Sequence, residues 1–482
     1  MSEILPISAE ILSRFPAVDE KKVDELLEKK LAALNRKIVV LDDDPTGVQT
    51  VHDIYVYTDW SEETMLKAFN DEHSMFFILT NSRGMTREET ECQHRIMAEN
   101  IAKASSASGK DYILISRSDS TLRGHYPLET KTLRKTLESI SDKRFDGEII
   151  YPFFKEGGRY TIGDIHYVKE QDVLTPAGMT EFAKDKSFGY KSSYMPAWCQ
   201  EKSEGEYRME DVVCISLDDL RALEVDKIAA QLKAVKGFNK LIVNSIDYVD
   251  VKVFALALLD AIEAGKEFMF RSAAAVTKVL GGVSDKPLLS RAELVDEGNS
   301  RGGVIIVGSH VNKTTKQLEQ LKSCKYPLEF IQFDQHRVLE EGGLEKEVER
   351  VIALTEEYIC AGKTVAVYTR RDRFDLDTDD KDKQLEVSVR ISDAVTSIVG
   401  KLKEKPAFII AKGGITSSDI GTKALRVKRA TVMGQVRPGI PVWLTGEESK
   451  FPNMPYIIFP GNVGSEDDLR VIVETLMEGC EK

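Results

Sequence analysis

The stretch LDDDPTGVQT (41–50) follows the apolar run IVV and sets three carboxylates in a row at the end of an expected buried strand. Buried carboxylates are costly unless something pairs with them or uses them. So placed, Asp42, Asp43 and Asp44 can coordinate a divalent cation, hold substrate hydroxyls or take a proton. Pro45-Thr46-Gly47 suits a turn, and a solvated turn with a helix cap is the plainer alternative. Asp42, Asp44 and Thr46 also spell D-x-D-x-T, the spacing of an aspartyl-phosphate phosphatase nucleophile. That chemistry needs a further hydroxyl, a lysine and a second acid pair; Thr80 and Asp218-Asp219 are candidates for two of these.

Cationic groups follow other strand-like runs. In SRSDSTLRGHYPLE (116–129), Arg117 and Arg123 flank Ser118, Asp119, Ser120 and Thr121. Two guanidiniums can fork onto a carboxylate or phosphate, while Asp119 and the hydroxyls can read substrate hydroxyls. TNSRG (80–84) offers Arg83 at another strand end, and YPFFKEGGRYTIGDIHYV (151–168) offers Lys155 and Arg159 around Gly157-Gly158. Glycines there let backbone amides approach an anion.

The second half carries three Gly-containing strand-to-helix junctions. They hold Gly308-Ser309; Lys412, Gly413, Gly414, Ile415 and Thr416; and Gly461, Asn462, Gly464 and Ser465. One such junction is usually a tight turn with a cap, whereas three in one domain point to a polyphosphate site at helix N-termini. There is no Walker A motif, because Glu357 stands where the leading Gly of AGKT (361–364) belongs, and no G-x-G-x-x-G fingerprint. Asp375, Asp377, Asp379 and Glu386 match calcium-loop positions, but Asp380 replaces the glycine of the sharp turn, so residues 371–386 read as a mobile acidic loop.

The elements that must position these groups alternate. Strand-like runs (KIVVLD, DIYVYTD, SMFFILTNS, YILISRS, GEIIYPFF, VVCIS, KLIVNSI) are interleaved with helical stretches such as REETECQHRIMAENIAKAS. A second series (GVIIVGS, LEFIQFD, KTVAVYTR, AFIIAKGGIT, PVWLTG, YIIFPGNVG) follows the polar segment 284–303. This predicts an α/β protein of two domains, each a largely parallel sheet flanked by helices, with function at the carboxyl edges of the strands. The expected division is a helical leader over 1–34, then 35–290 and 291–482.

The 482 residues carry 42% apolar and 30% charged residues, enough for more than one core. A net charge of −13 disfavours nucleic acid as a partner, so an anion would have to be bound by locally concentrated Arg and Lys. Six cysteines without a C-x-x-C pair read as reduced thiols and a cytoplasmic protein, and the histidines lack zinc spacing. No apolar run reaches ~18 residues, so no membrane partner is expected, and the N-terminus lacks the pattern of a signal peptide.

Together, DDPTG (43–47), SR (82–83), RSDSTLRG (117–124), GGRYTIGDIHYV (157–168), GS (308–309), KGGITSSDI (412–420) and PGNVGSEDDL (460–469) resemble the four-carbon acid sugar kinase family, the tetronate kinases. The matches run in order through most of the chain. The resemblance implies an N-terminal domain for the sugar acid and a C-terminal domain for ATP, with Mg²⁺ as cofactor and the 4-hydroxyl of threonate, erythronate or a 3-oxo-tetronate as acceptor. It implies substrate binding by Asp43, Arg83 and the 117–120 segment, to which Arg123, Lys155 and Arg159 add cations. It implies nucleotide binding by Ser309, the 413–416 loop and Gly461 with Asn462. Asp43 or Asp44 is the expected base, the metal ligands are unassigned, and homodimerisation is left open. The sequence departs from the family pattern at Pro45, Arg117, Ile415 and Val463, where an apolar residue, Lys, Glu and Phe are expected, and in the leader before residue 35. An aspartyl-phosphate phosphatase and a non-catalytic sensor of sugar acid and nucleotide are the competing readings.

Overall fold

A computed structural model describes residues 4–372, 374, 381–461 and 463–479. The fold is α/β, in two units that each rest on a largely parallel sheet flanked by helices. The first unit comprises Met1–Val51 with Asp59–Asp285, the second His52–Thr58 with Lys286–Lys482.

In the first unit seven strands lie in the order Val213–Ile215, Asn239–Val243, Gly147–Tyr151, Phe268–Ser272, Asp111–Arg117, Arg36–Asp42 and Met75–Leu79. Every neighbouring pair is parallel, so all carboxyl ends emerge at one edge. The strands are buried on both faces, as their unbroken Val/Ile/Leu/Phe runs require in a helix-covered parallel sheet. The connecting helices are set by local signals. Arg87–Ser108 opens with a Thr86–Glu89 capping box and closes on Gly109 at φ +67°; Tyr248–Glu263 opens with an Asp247–Asp250 box. The leader forms the helix Glu20–Ala33, tied to Tyr248–Glu263 by Lys252 with Glu20 at 2.8 Å and Asp24 at 2.7 Å. Ahead of it, Ile7–Ser8 adds an edge to a small antiparallel sheet with Val173–Pro176, Ile165–Glu170 and Arg159–Ile162.

The second unit orders its strands Ile54–Tyr57, Arg429–Arg437, Ile440–Thr445, Pro455–Phe459, Ile409–Lys412, Val304–Val307, Thr364–Thr369 and Leu328–Phe333. The last five are mutually parallel, and the first three form an antiparallel margin. Its core joins Ile305, Val307, Ile410, Ile457 and Phe459 to Leu469, Ile472 and Val473 of the last helix. DIYVYTD, a strand of the first series by its pattern, is grouped with the second unit and pairs antiparallel with Arg429–Arg437. Periodicity identifies a strand but carries no information about its partner.

Candidate active site

The chain leaves Arg36–Asp42 toward the Met75–Leu79 edge and leaves Asp111–Arg117 toward the opposite edge. Their carboxyl ends therefore flank a topological switch point, where diverging loops open a crevice. Asp42 and Arg117 are register partners there. Arg117 Nη1 donates to Asp42 Oδ1 at 3.1 Å and to Asp43 Oδ1 at 3.4 Å. Arg83, carried in by the turn after Met75–Leu79, pairs through Nε with Asp43 Oδ2 at 3.2 Å, through Nη2 with Asp44, and at 4.0 Å with Asp119. Asp119 accepts from Arg123 Nε at 2.8 Å and from the Thr121 hydroxyl. Five of the expected residues thus form one chain of charge, Asp43–Arg83–Asp119–Arg123 with Arg117 beside it.

Their environments differ. Burial pushes the Asp42 carboxyl up to about 7, with Arg117 pulling the other way and Asp43 and Asp44 adding to the rise. Burial likewise lifts Asp43 to about 6, opposed by Arg83 and Arg117 and helped by Glu129 and Asp44. Burial also works on Asp44, but Arg83 and the hydrogen bonds from Thr46 hold it below the usual range. Burial is again outweighed at Asp119, which Arg123 and Arg83 hold well below that range. Asp43 is therefore a carboxylate whose proton affinity is matched to taking a proton near neutral pH.

Several expectations are corrected. Asp42 is neither a solvated residue nor a free metal ligand; it is 2% exposed and committed to Arg117. Gly47 is needed beside it, since a Cβ there would fall 1.9 Å from Asp42 Oδ2. Lys155 does not join the cluster; it pairs with Asp247 at 2.7 Å on an exposed loop. The phosphatase partners do not assemble. Thr80 donates to the Asp42 backbone carbonyl at 3.1 Å, and Asp218-Asp219 follow a strand five places away, ~24 Å at ~4.8 Å per strand. Each acid of the triad is engaged by a guanidinium, and among the described residues no group of three His, Cys, Asp or Glu side chains is placed to hold a metal. The calcium-like positions Asp375, Asp377 and Asp379 lie outside the described residues, as does Asn462, while Glu386 lies in the helix Lys381–Lys401.

Ser118 is fully buried and its hydroxyl has no hydrogen-bond partner among the described residues, and Ser120 receives His166 Nε2 on its carbonyl at 2.8 Å. Burial pushes His166 down to about 4, so it is neutral and takes the Thr161 hydroxyl on Nδ1. Sequence reasoning missed His166, Glu129 and Arg271. Glu129 is 3% exposed and accepts from the Ser82 hydroxyl. Arg271 is 1% exposed and donates to the Arg123 carbonyl at 2.9 Å. The signal for Arg271 was a lone charge inside the apolar run FMF-R-S.

The second unit has its own switch point. The chain leaves Val304–Val307 toward Leu328–Phe333 and leaves Ile409–Lys412 toward Pro455–Phe459. All three Gly junctions end adjacent strands at this place. Gly308 N donates to Lys412 O at 3.3 Å and Gly413 N to Phe459 O at 2.9 Å. A Cβ on Gly461 would lie 3.7 Å from Ser309 Oγ. Gly413 sits at φ +128°, open to glycine and strained for other residues. Lys412 is fully buried, with its ammonium on the Pro460 and Gly461 carbonyls. Burial, with Lys313 nearby, pushes it down to about 7. Ile415 is 68% exposed on the 413–416 loop. Small residues and backbone amides around Ser309, Gly413, Thr416 and Gly461 give a polyphosphate room to approach.

Residues 38–280 match the family model described as a sugar-binding N-terminal domain, and 304–469 match that of a nucleotide-binding C-terminal domain. Two solved structures share the fold. A Salmonella typhimurium LT2 protein named as a candidate tRNA synthase is 14% identical, with 91% of this chain and 98% of that chain covered and a TM-score of 0.64. A Haemophilus influenzae protein of the domain-of-unknown-function family 1537 is 18% identical, with 90% of this chain and 99% of that chain covered and a TM-score of 0.57. No curated protein matches. No helix among the described residues is long and apolar enough to cross a membrane. With a sugar-binding domain ahead of a nucleotide-binding domain, the chain belongs to the four-carbon acid sugar kinase family.

Proposed function

We propose that the protein is an ATP-dependent phosphotransferase with an alcohol acceptor, which phosphorylates the terminal hydroxyl of a four-carbon sugar acid (threonate, erythronate or a 3-oxo-tetronate) to its 4-phosphate. The observation that carries this reading is the buried Asp43, lifted to about 6 and held between Arg83 and Arg117 at a strand-end crevice of the sugar-binding domain. Phosphoryl transfer asks the protein for positioning and charge stabilisation more than for covalent chemistry. Asp43 takes the proton of the acceptor hydroxyl. Arg83 and Arg117 fix the carboxylate that does so, and Asp119 with the Ser118 hydroxyl reads the remaining hydroxyls. Asp44, held ionised by Arg83 and Thr46, keeps Arg83 in place. The nucleotide is taken by Ser309, the 413–416 loop and Gly461, with Asn462 added from the sequence.

The test is ADP formation by the purified protein with D- and L-threonate, D- and L-erythronate and the 3-oxo-tetronates. Acid-dependent ADP release with at least one of them supports the reading. ATP binding with silence across the panel favours the sensor, and phosphate release from a phosphorylated acid without ATP favours a phosphatase.

A further inference from the structure

The charged groups of the sugar-binding domain are unevenly divided. Around Asp43, the two guanidiniums of Arg83 and Arg117 face Asp42, Asp43 and Asp44, and the buried Glu129 adds a further negative charge felt by Asp43. A carboxylate brought to that end would meet like charge. The other end has the opposite balance. Arg123 shares Asp119 with Arg83, and its other acid, Asp185, is 3.9 Å away. Among the described residues Arg159 has no ion-pair partner, and its Nε is buried without a hydrogen bond. Arg271 is fully buried, with Nε and Nη1 unbonded among the described residues and Nη2 on the Arg123 carbonyl.

Arg159 is also held still. Its backbone exchanges two hydrogen bonds with Phe154, at 3.1 and 2.9 Å. The guanidiniums of Arg123 and Arg159 lie over the same ring, Phe182, at 5.1 and 5.5 Å from its centroid. Burial, with Arg123 adding repulsion and Asp119 and Glu170 only partly offsetting them, disfavours the charged form of Arg159, and a bound oxyanion would relieve that cost.

We propose that the carboxylate of the substrate seats on Arg123 and Arg159 against Phe182, so that its acceptor hydroxyl is presented toward Asp43. Arg271 is the positioning residue that fixes the Arg123 backbone. This assignment rests on the sugar-acid kinase reading and adds the polarity of the bound acid. The ligand chemistry is an oxyanion, and a carboxylate rather than a phosphate is assigned because the acceptor acid carries one.

The test is calorimetric binding to the full-length protein without nucleotide, using the best acid of the ADP panel, its neutral amide, and a tetritol phosphate bearing phosphate in place of carboxylate. Arg159→Gln should weaken acid binding by about 10–100-fold, leave the amide unchanged and raise KM with kcat within about threefold. Arg159→Lys should recover part of the loss, and Arg123→Gln should act in the same direction; these two carry the test if Arg159→Gln does not fold. Equal weakening of acid and amide, no weakening of the acid, or an effect on the phosphate ligand alone would overturn the assignment and leave the kinase reading standing. A wild-type protein that bound and turned over no acid of the panel would remove the kinase reading, and this assignment with it.

Discussion

Replacing Asp43 by Asn probes the proposed base with little change of shape. In the wild type, Asp43 offers Oδ1 to Arg117 at 3.4 Å and Oδ2 to Arg83 at 3.2 Å. After the change Arg117 keeps Asp42 at 3.1 Å and Arg83 keeps Asp44, so each guanidinium retains one carboxylate and the fold should persist. What is lost is the proton acceptor. A positioned general base contributes ~10²–10⁴-fold, about 3–5 kcal/mol of barrier, and kcat should fall by that factor with KM for the acid changed much less. The pH profile supplies a second readout. With its proton affinity lifted to about 6, Asp43 is ionised above that pH and protonated below it. The wild-type kcat/KM should therefore drop about tenfold per unit below pH ~6, and the residual activity of Asp43→Asn should lose that limb. A coupled ADP assay from pH 5 to 8.5 measures both. An Asp43→Asn enzyme within threefold of wild type, or one that kept the acid limb, would refute the assignment.

Three further outcomes follow from the same geometry. Glu129 raises the proton affinity of Asp43 by like charge, so Glu129→Gln should move the acid limb of kcat/KM to lower pH; an unmoved limb would show that the two groups are not coupled. Asp42 binds its proton more tightly folded (about 7) than unfolded (about 3.8), so its contribution to stability is full below pH ~4 and is lost as pH rises to about 7, by up to about 4 kcal/mol. Thermal melting of Asp42→Asn from pH 4 to 8 should accordingly decline less with pH than wild type, and a parallel decline would contradict this. Gly413→Ala places a Cβ 3.0 Å from Ser309 Cβ at φ +128° and should weaken ATP binding at least tenfold while leaving acid binding intact, as calorimetry with each ligand would show.

The fold class was legible because strands buried on both faces write themselves as unbroken β-branched runs. Outside the small antiparallel sheet of Ile7–Ser8, Arg159–Ile162, Ile165–Glu170 and Val173–Pro176, two strands escaped for local reasons. FMFRS carries Arg271 in its middle, and RATVMGQVR alternates with polar residues and is interrupted by two register irregularities. The acids and arginines of the site were individually visible, since LDDD, SRG and RSDSTLRG stand at strand ends. Their pairing was not. That Asp42 belongs to Arg117, that Arg83 bridges Asp43 to Asp119, and that Lys155 turns away to Asp247 while Arg159 stays depend on strand order and loop direction. Asp42, odd as a residue of its run, becomes intelligible once its register partner is known.

Direct transfer from ATP to a sugar acid is best tested by single turnover with ATP labelled at the γ-phosphate and the acid found active in the ADP panel. All label should appear as a phosphomonoester on the terminal carbon of the acid, with one ADP formed per label transferred. Label retained on the protein, or released as inorganic phosphate while the acid stays unmodified, would contradict the account.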